Sequence, residues 1–159
     1  MRPLIASLLL LLLAGCVSHP KAAAELHFER VWLTWHDSSS FDSFYEYRTG
    51  EELVGRWTIL RSEPNERTGL YFQIRTENPA PERDLKIVIR VISPDSIDPR
   101  VFTFPVKVPA GSRLFVVGLT GDDWPMIRVV PVAWDVELQA PDGSMLAKKS
   151  SFLWEKPDR

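Results

Sequence analysis

The chain has 159 residues, a formal charge of −2, 45% hydrophobic residues and a single cysteine. That length suits one domain with a sizeable core. The absence of a basic stripe sets nucleic acid aside as a partner, and one thiol supports neither an internal disulfide nor a cysteine-based zinc site. Thirteen prolines, six tryptophans and eight phenylalanines favour strands and turns over a helical bundle.

The chain opens with Arg2 and an apolar run from Leu4 to Leu13 that ends in six consecutive leucines. A hydrocarbon core of about 30 Å needs ~20 apolar residues, so this run is too short to span it. One positive charge before the run and small residues after it give the layout of an export signal. Leu13-Ala14-Gly15-Cys16 resembles the lipobox of bacterial lipoproteins. The resemblance implies cleavage before Cys16, a lipid on Cys16 and anchoring of the mature chain to a membrane surface. Residues 1–15 are then the signal peptide, 16–24 the lipidated cysteine and a short linker, and 25–157 the domain. Loss of Arg2 lowers the charge by one, and the mature chain carries no free thiol. No Asp follows the cysteine, where Val17 and Ser18 stand; in a host with two membranes, the resemblance then implies the outer one. Residues 17–24 span at most ~29 Å when extended, so the domain stays close to its anchor.

From residue 25 on, strand-like runs recur between turn signals. Strands are predicted near 25–34, 53–61, 69–77, 85–92, 100–108, 113–120, 128–139 and 145–154. The clearest is Leu85–Val91, where Leu85, Ile87, Ile89 and Val91 share one face and Lys86 and Arg90 the other. Leu70, Phe72 and Ile74 alternate in the same way. So do Phe102, Phe104, Val106 and Val108, and then Val132, Trp134, Val136 and Leu138. Trp134 therefore reads as a core side chain. Pro105 and Pro131 cannot donate to a ladder, which points to edges or bulges there. Pro141-Asp142-Gly143 and Pro109-Ala110-Gly111 read as tight hairpins. Asn78-Pro79-Ala80-Pro81 and Ser93-Pro94-Asp95 mark further reversals. The one place for a helix is a turn or two within 38–53. Phe152 and Trp154 read as core residues of the last strand.

About eight short strands at this spacing predict an all-β fold, a single antiparallel β-sandwich, with a small antiparallel barrel as the alternative. The layout is similar to immunoglobulin-like and fibronectin-III-like domains, without their specific motifs; the cysteine pair of true immunoglobulin domains is absent.

Four segments are candidates for chemistry or binding. His36-Asp37-Ser38-Ser39-Ser40 holds the residue types of a hydrolytic triad, but as sequence neighbours and without a nucleophile elbow, so it reads as a polar loop. Asp122, Asp123 and Trp124 form a loop that either contacts a partner, folds Trp124 back over the end of the sandwich or, with Asp95 and Asp98, offers oxygens to calcium. Phe41, Phe44, Tyr45 and Tyr47 crowd one long connection, either capping the core or forming a binding patch. The three histidines, at 19, 27 and 36, lack metal-ligand spacing. Hence no cofactor and no metal are expected. The function expected is a non-catalytic binding or scaffolding module for an envelope protein or a surface glycan. A structural accessory subunit and, less favoured, a hydrolase are the alternatives.

If all eight strands are antiparallel, connections alternate between the two ends. The loops at 62–68, 93–99 and 121–127 then share the tether's end, with Glu63, Glu66, Asp95, Asp98, Asp122 and Asp123 beside Arg61, Arg67, Arg100 and Arg128. The aromatics of 35–52 take the other end. An additional strand at 44–48 inverts this assignment.

Overall fold

A computed structural model describes residues 25–41 and 57–155. Among these residues, eight strands form two four-stranded sheets. They are β1 (His27–His36), β2 (Trp57–Arg61), β3 (Gly69–Asn78), β4 (Arg83–Ile92), β5 (Arg100–Val108), β6 (Gly111–Thr120), β7 (Ala133–Gln139) and β8 (Met145–Ser150). The first sheet has the order β1-β3-β6-β2 and the second β5-β4-β7-β8. The fold is an all-β sandwich, and neither sheet closes into a barrel. The pairings β1–β3, β3–β6, β4–β7 and β7–β8 correspond to the A–B, B–E, C–F and F–G pairings of the immunoglobulin sandwich.

Alternation along the strands builds the core. Leu70, Phe72 and Ile74 from β3 and Phe115, Val117 and Leu119 from β6 meet Leu85, Ile87, Ile89 and Val91 from β4 and Val136 and Leu138 from β7. Phe104, Val106 and Val108 of β5 are buried as the period-two pattern predicts. Trp134 packs against this cluster, with its ring edge-on to Phe72 at 5.9 Å. Pro105 lies on β5, an edge strand of the second sheet, where a missing donor is tolerated.

The second sheet's outer face is not simply solvated. Arg90 on β4 bridges Asp135 and Glu137 on β7, each at 2.6 Å, and Lys148 on β8 approaches Asp135 at 3.3 Å. Asp135 and Glu137 are buried. The Arg90 hydrogen bond holds the Glu137 carboxyl below its ordinary range, against the effect of burial.

At the end where β3 passes to β4, Asn78 is fully buried. Its amide nitrogen donates to the carbonyls of Pro81, Val108 and Pro109, and its oxygen accepts from Ala80 N and Arg83. One side chain thus ties together both turns that cross from sheet to sheet at this end. The turn at Pro109-Ala110-Gly111 is one of these: β5 and β6 belong to different sheets, so the expected hairpin there is corrected to an arch. Gly111 enters β6 with φ +79°. Pro141-Asp142-Gly143 does make a hairpin, with Ala140 N and Gly143 N bonded across it and φ +89° at Gly143.

Three further expectations are corrected. β2 pairs with β6 in parallel, Trp57 to Arg61 against Leu114 to Gly118, so the strands are not all antiparallel. β7 begins at Ala133 rather than 128: Pro131 has no donor, Arg128 adopts φ +59°, and Val132 is exposed. β8 ends at Ser150, and Phe152–Glu155 form a helical turn, α1. There the hydroxyl of Ser151 accepts from Trp134 N, while its carbonyl accepts from Trp154 N and Glu155 N. That turns the chain out of the sheet and leaves Phe152 exposed.

The antiparallel pairing of β1 with β3 and the short turns between sheets fix which loops share an end. β1 and β6 are each antiparallel to β3, so β2, parallel to β6, runs in the same sense as β1. Strands β3, β5 and β7 run the other way, and β4 and β8 run with β1. The turns at 79–82, 109–110 and 140–144 therefore lie at the end where Leu26 enters β1. The connections 62–68, 93–99 and 121–132, together with α1, lie at the opposite end, one strand length or about 30 Å away. The expectation that the acidic loops share the tether's end is corrected accordingly.

Candidate functional site

Among the described residues, the end remote from Leu26 is built from three connections, the turn after β1 and α1. Its base is braced by polar contacts. Ser62 Oγ accepts from Thr120 N at 2.9 Å, and Glu63 N donates to Thr120 Oγ1 at 3.1 Å. The Glu63 carboxylate accepts from Asp122 N at 2.8 Å. Gly121 adopts φ +58°, a conformation that favours glycine, and a Cβ there would displace the Glu63 carboxylate, 2.5 Å away. Arg100 donates to the Asp123 carbonyl at 2.7 Å and to its carboxylate at 2.9 Å.

Trp124 is 2% exposed and joins the core, donating its indole N–H to the Val129 carbonyl at 3.2 Å. Of the readings open for this loop, the one in which Trp124 folds back over the sandwich end holds. A contact of its ring with a partner is corrected to core packing. Arg128 lies over the Trp35 ring at 6.0 Å. Asp122 is exposed, and Asp123 is engaged by Arg100. Among the described residues, no group of three or more His, Cys, Asp or Glu side chains could hold a metal ion.

The polar segment after β1 forms a short 3-10 turn, Ser38–Phe41. Asp37 Oδ1 accepts from Ser39 Oγ, Ser40 N and Ser40 Oγ between 2.7 and 3.0 Å. Those bonds, the Ser39 hydroxyl first, hold the Asp37 carboxyl below its ordinary range. His36 stands edge-on to Tyr71 at 5.3 Å, and burial lowers its pKa against the opposing charge of Asp37. Asp37 therefore caps a turn. Phe41 closes that turn at the remote end, whereas Phe44, Tyr45, Tyr47 and Cys16 lie outside the described residues.

No protein-family model and no curated protein matches the chain. Among solved structures it is similar to an immunoglobulin-like protein from Pseudomonas aeruginosa, 19% identical, with a TM-score of 0.34 over 82% of this chain and 97% of that one.

What distinguishes the remote end is exposed apolar surface. Seven of the ten large apolar side chains exposed among the described residues belong to it: Ile97, Val101, Ile127, Val130, Val132, Phe152 and Leu153. Met145 and Leu146 lie at the end where Leu26 enters β1, and Trp57 on β2. Backbone bonds join several of the remote-end elements: Val132 N donates to the Ile92 carbonyl at 2.8 Å, and Ser151 N to the Trp134 carbonyl at 2.8 Å. Sequence reasoning missed these residues. The signal available was Ile97, a single apolar residue inside the polar loop Ser93–Pro99.

A cleft of about 590 Å³ runs between β2 and β5, the edge strands on one flank, lined by Leu60, Arg61, Phe102, Phe104 and Asp123 among others.

Proposed function

We propose that this chain is an exported lipoprotein, anchored through Cys16, whose sandwich is a non-catalytic binding module that meets an envelope protein at the end remote from the anchor. The observation that carries the reading is the segregation of exposed apolar side chains to the end opposite Leu26. Exposed apolar side chains gathered at one end, rather than scattered singly, favour a contact surface there. A short tether holds one end of the domain against the membrane and leaves the other free to meet a large partner. Pro105 in the middle of edge strand β5 removes a donor from that edge, which favours the end surface over assembly by strand addition. The lipobox residues support the anchor: Cys16→Ala should move the protein from the membrane to the soluble fraction, and mass spectrometry should find Cys16 acylated in the native protein.

The binding test is capture from detergent-solubilised envelopes by the full chain and two folded variants. Ile97→Ser/Phe152→Ser should lose the captured partner, while Met145→Ser/Leu146→Ser should retain it. Loss by the second variant alone overturns the reading.

A further inference from the structure

We infer that the partner surface meeting the remote end is an apolar pocket rimmed by lysine or arginine side chains. This rests on the binding reading above and specifies the partner's chemistry. Ile97 is the most exposed large apolar side chain among the described residues, at 90%, followed by Phe152 at 81%. Ile97 stands between Asp95 and Asp98, both exposed, in a loop pinned by Ser96 N donating to the Ser93 carbonyl and Asp98 N to Ser96 Oγ. The backbone thus presents an apolar knob between two carboxylates.

Three cations of this end are engaged within the domain. Arg100 is held by Asp123, Arg128 lies over Trp35, and Arg61 donates to the Tyr71 hydroxyl. Exposed Asp122 and Glu155 add to the acidic rim. A docking partner must bury Ile97 and Phe152 without leaving these carboxylates unpaired, because like charge or no charge opposite them costs binding free energy. An apolar pocket with a basic rim meets both demands. An anionic membrane surface can bury the two apolar side chains but sets like charge against the carboxylates.

The test uses the full chain in detergent and two small helical-bundle proteins as probes. Both display the same surface leucine cleft, rimmed by lysine in one and by glutamate in the other. The lysine-rimmed probe is expected to bind at least about tenfold more tightly, with the margin shrinking in high salt. Asp95→Lys/Asp98→Lys should reverse the preference, and Ile97→Ser should weaken both complexes. Equal binding of the two probes, sensitive to Ile97→Ser, overturns the basic rim and leaves the remote-end reading standing. Binding insensitive to both Ile97→Ser and Phe152→Ser overturns both. Two further outcomes assign the surface to another occupant and also overturn the inference: dimerisation of the chain abolished by Ile97→Ser, or Ile97-dependent binding to phosphatidylcholine vesicles.

Discussion

Leu33 on β1 lies opposite Phe72 on β3 in an antiparallel ladder, and this relationship decides which loops face away from Leu26. Strict alternation of successive strands would set β3 parallel to β1 and bring the loops carrying Asp95 and Asp122 to the Leu26 end. With β3 antiparallel to β1, they lie at the opposite end. The exposed apolar residues follow the same loops.

The close approach of Tyr71 to Gly118 gives the first prediction. The two are paired across β3 and β6, and a Cβ at 118 would come within 2.5 Å of the tyrosine ring. That ring is fully buried and fixed by its hydroxyl, which donates to the Arg67 carbonyl at 2.7 Å and accepts from Arg61. Gly118→Ala should therefore lower stability by about 1–3 kcal/mol, the cost of overpacking a filled site. Thermal unfolding measures it; an unchanged Tm means the ring moves aside freely.

The Arg90 bridge makes a pH-dependent prediction. Arg90 holds the Glu137 carboxyl below its ordinary value of 4.5, so the pair contributes stability that is present above that value. It is lost as pH falls through the lower folded pKa. Arg90→Met leaves two buried carboxylates with Lys148 as their remaining cation and should cost about 3 kcal/mol at neutral pH, the low end for a broken buried pair because Arg90 keeps 29% exposure. The deficit relative to the parent should shrink as the pH is lowered below 4.5, where the Glu137 carboxyl, no longer held low by Arg90, becomes neutral. Denaturant melts at neutral and acid pH test this, and a deficit that is flat or grows in acid contradicts it.

Two aromatic residues at the remote end should behave oppositely. Trp124 is 2% exposed and Phe152 81%. Trp124→Ala should cost about 3–5 kcal/mol, whereas Phe152→Ser should fall within about 0.5 kcal/mol of the parent. Equal losses would mean that Phe152 serves folding and is not held free for contact.

The sandwich was legible because the alternation of Leu85, Ile87, Ile89 and Val91 is a local property of a half-buried strand. The direction of β2 was not, since five residues, Trp57–Arg61, carry no local mark of the neighbour they join. The end of β8 was missed because Phe152 and Trp154 continue an apolar alternation; the bonds of Ser151 that divert the chain are tertiary. Asp135 and Glu137 alternate with the apolar Val136 and Leu138, and only Arg90 on a neighbouring strand makes them a buried cluster. The exposed apolar end was hidden for the same reason: Val132 and Phe152 look like strand residues until the strand boundaries are known.

The most direct measurement is photo-crosslinking in intact cells, with a photoreactive side chain placed at Ile97 in one strain and at Met145 in another. Both positions are exposed, at opposite ends of the sandwich. The expected result is a discrete protein adduct from position 97 and none from 145. A discrete adduct from 145 with none from 97 would contradict a partner-binding end that faces away from the anchor.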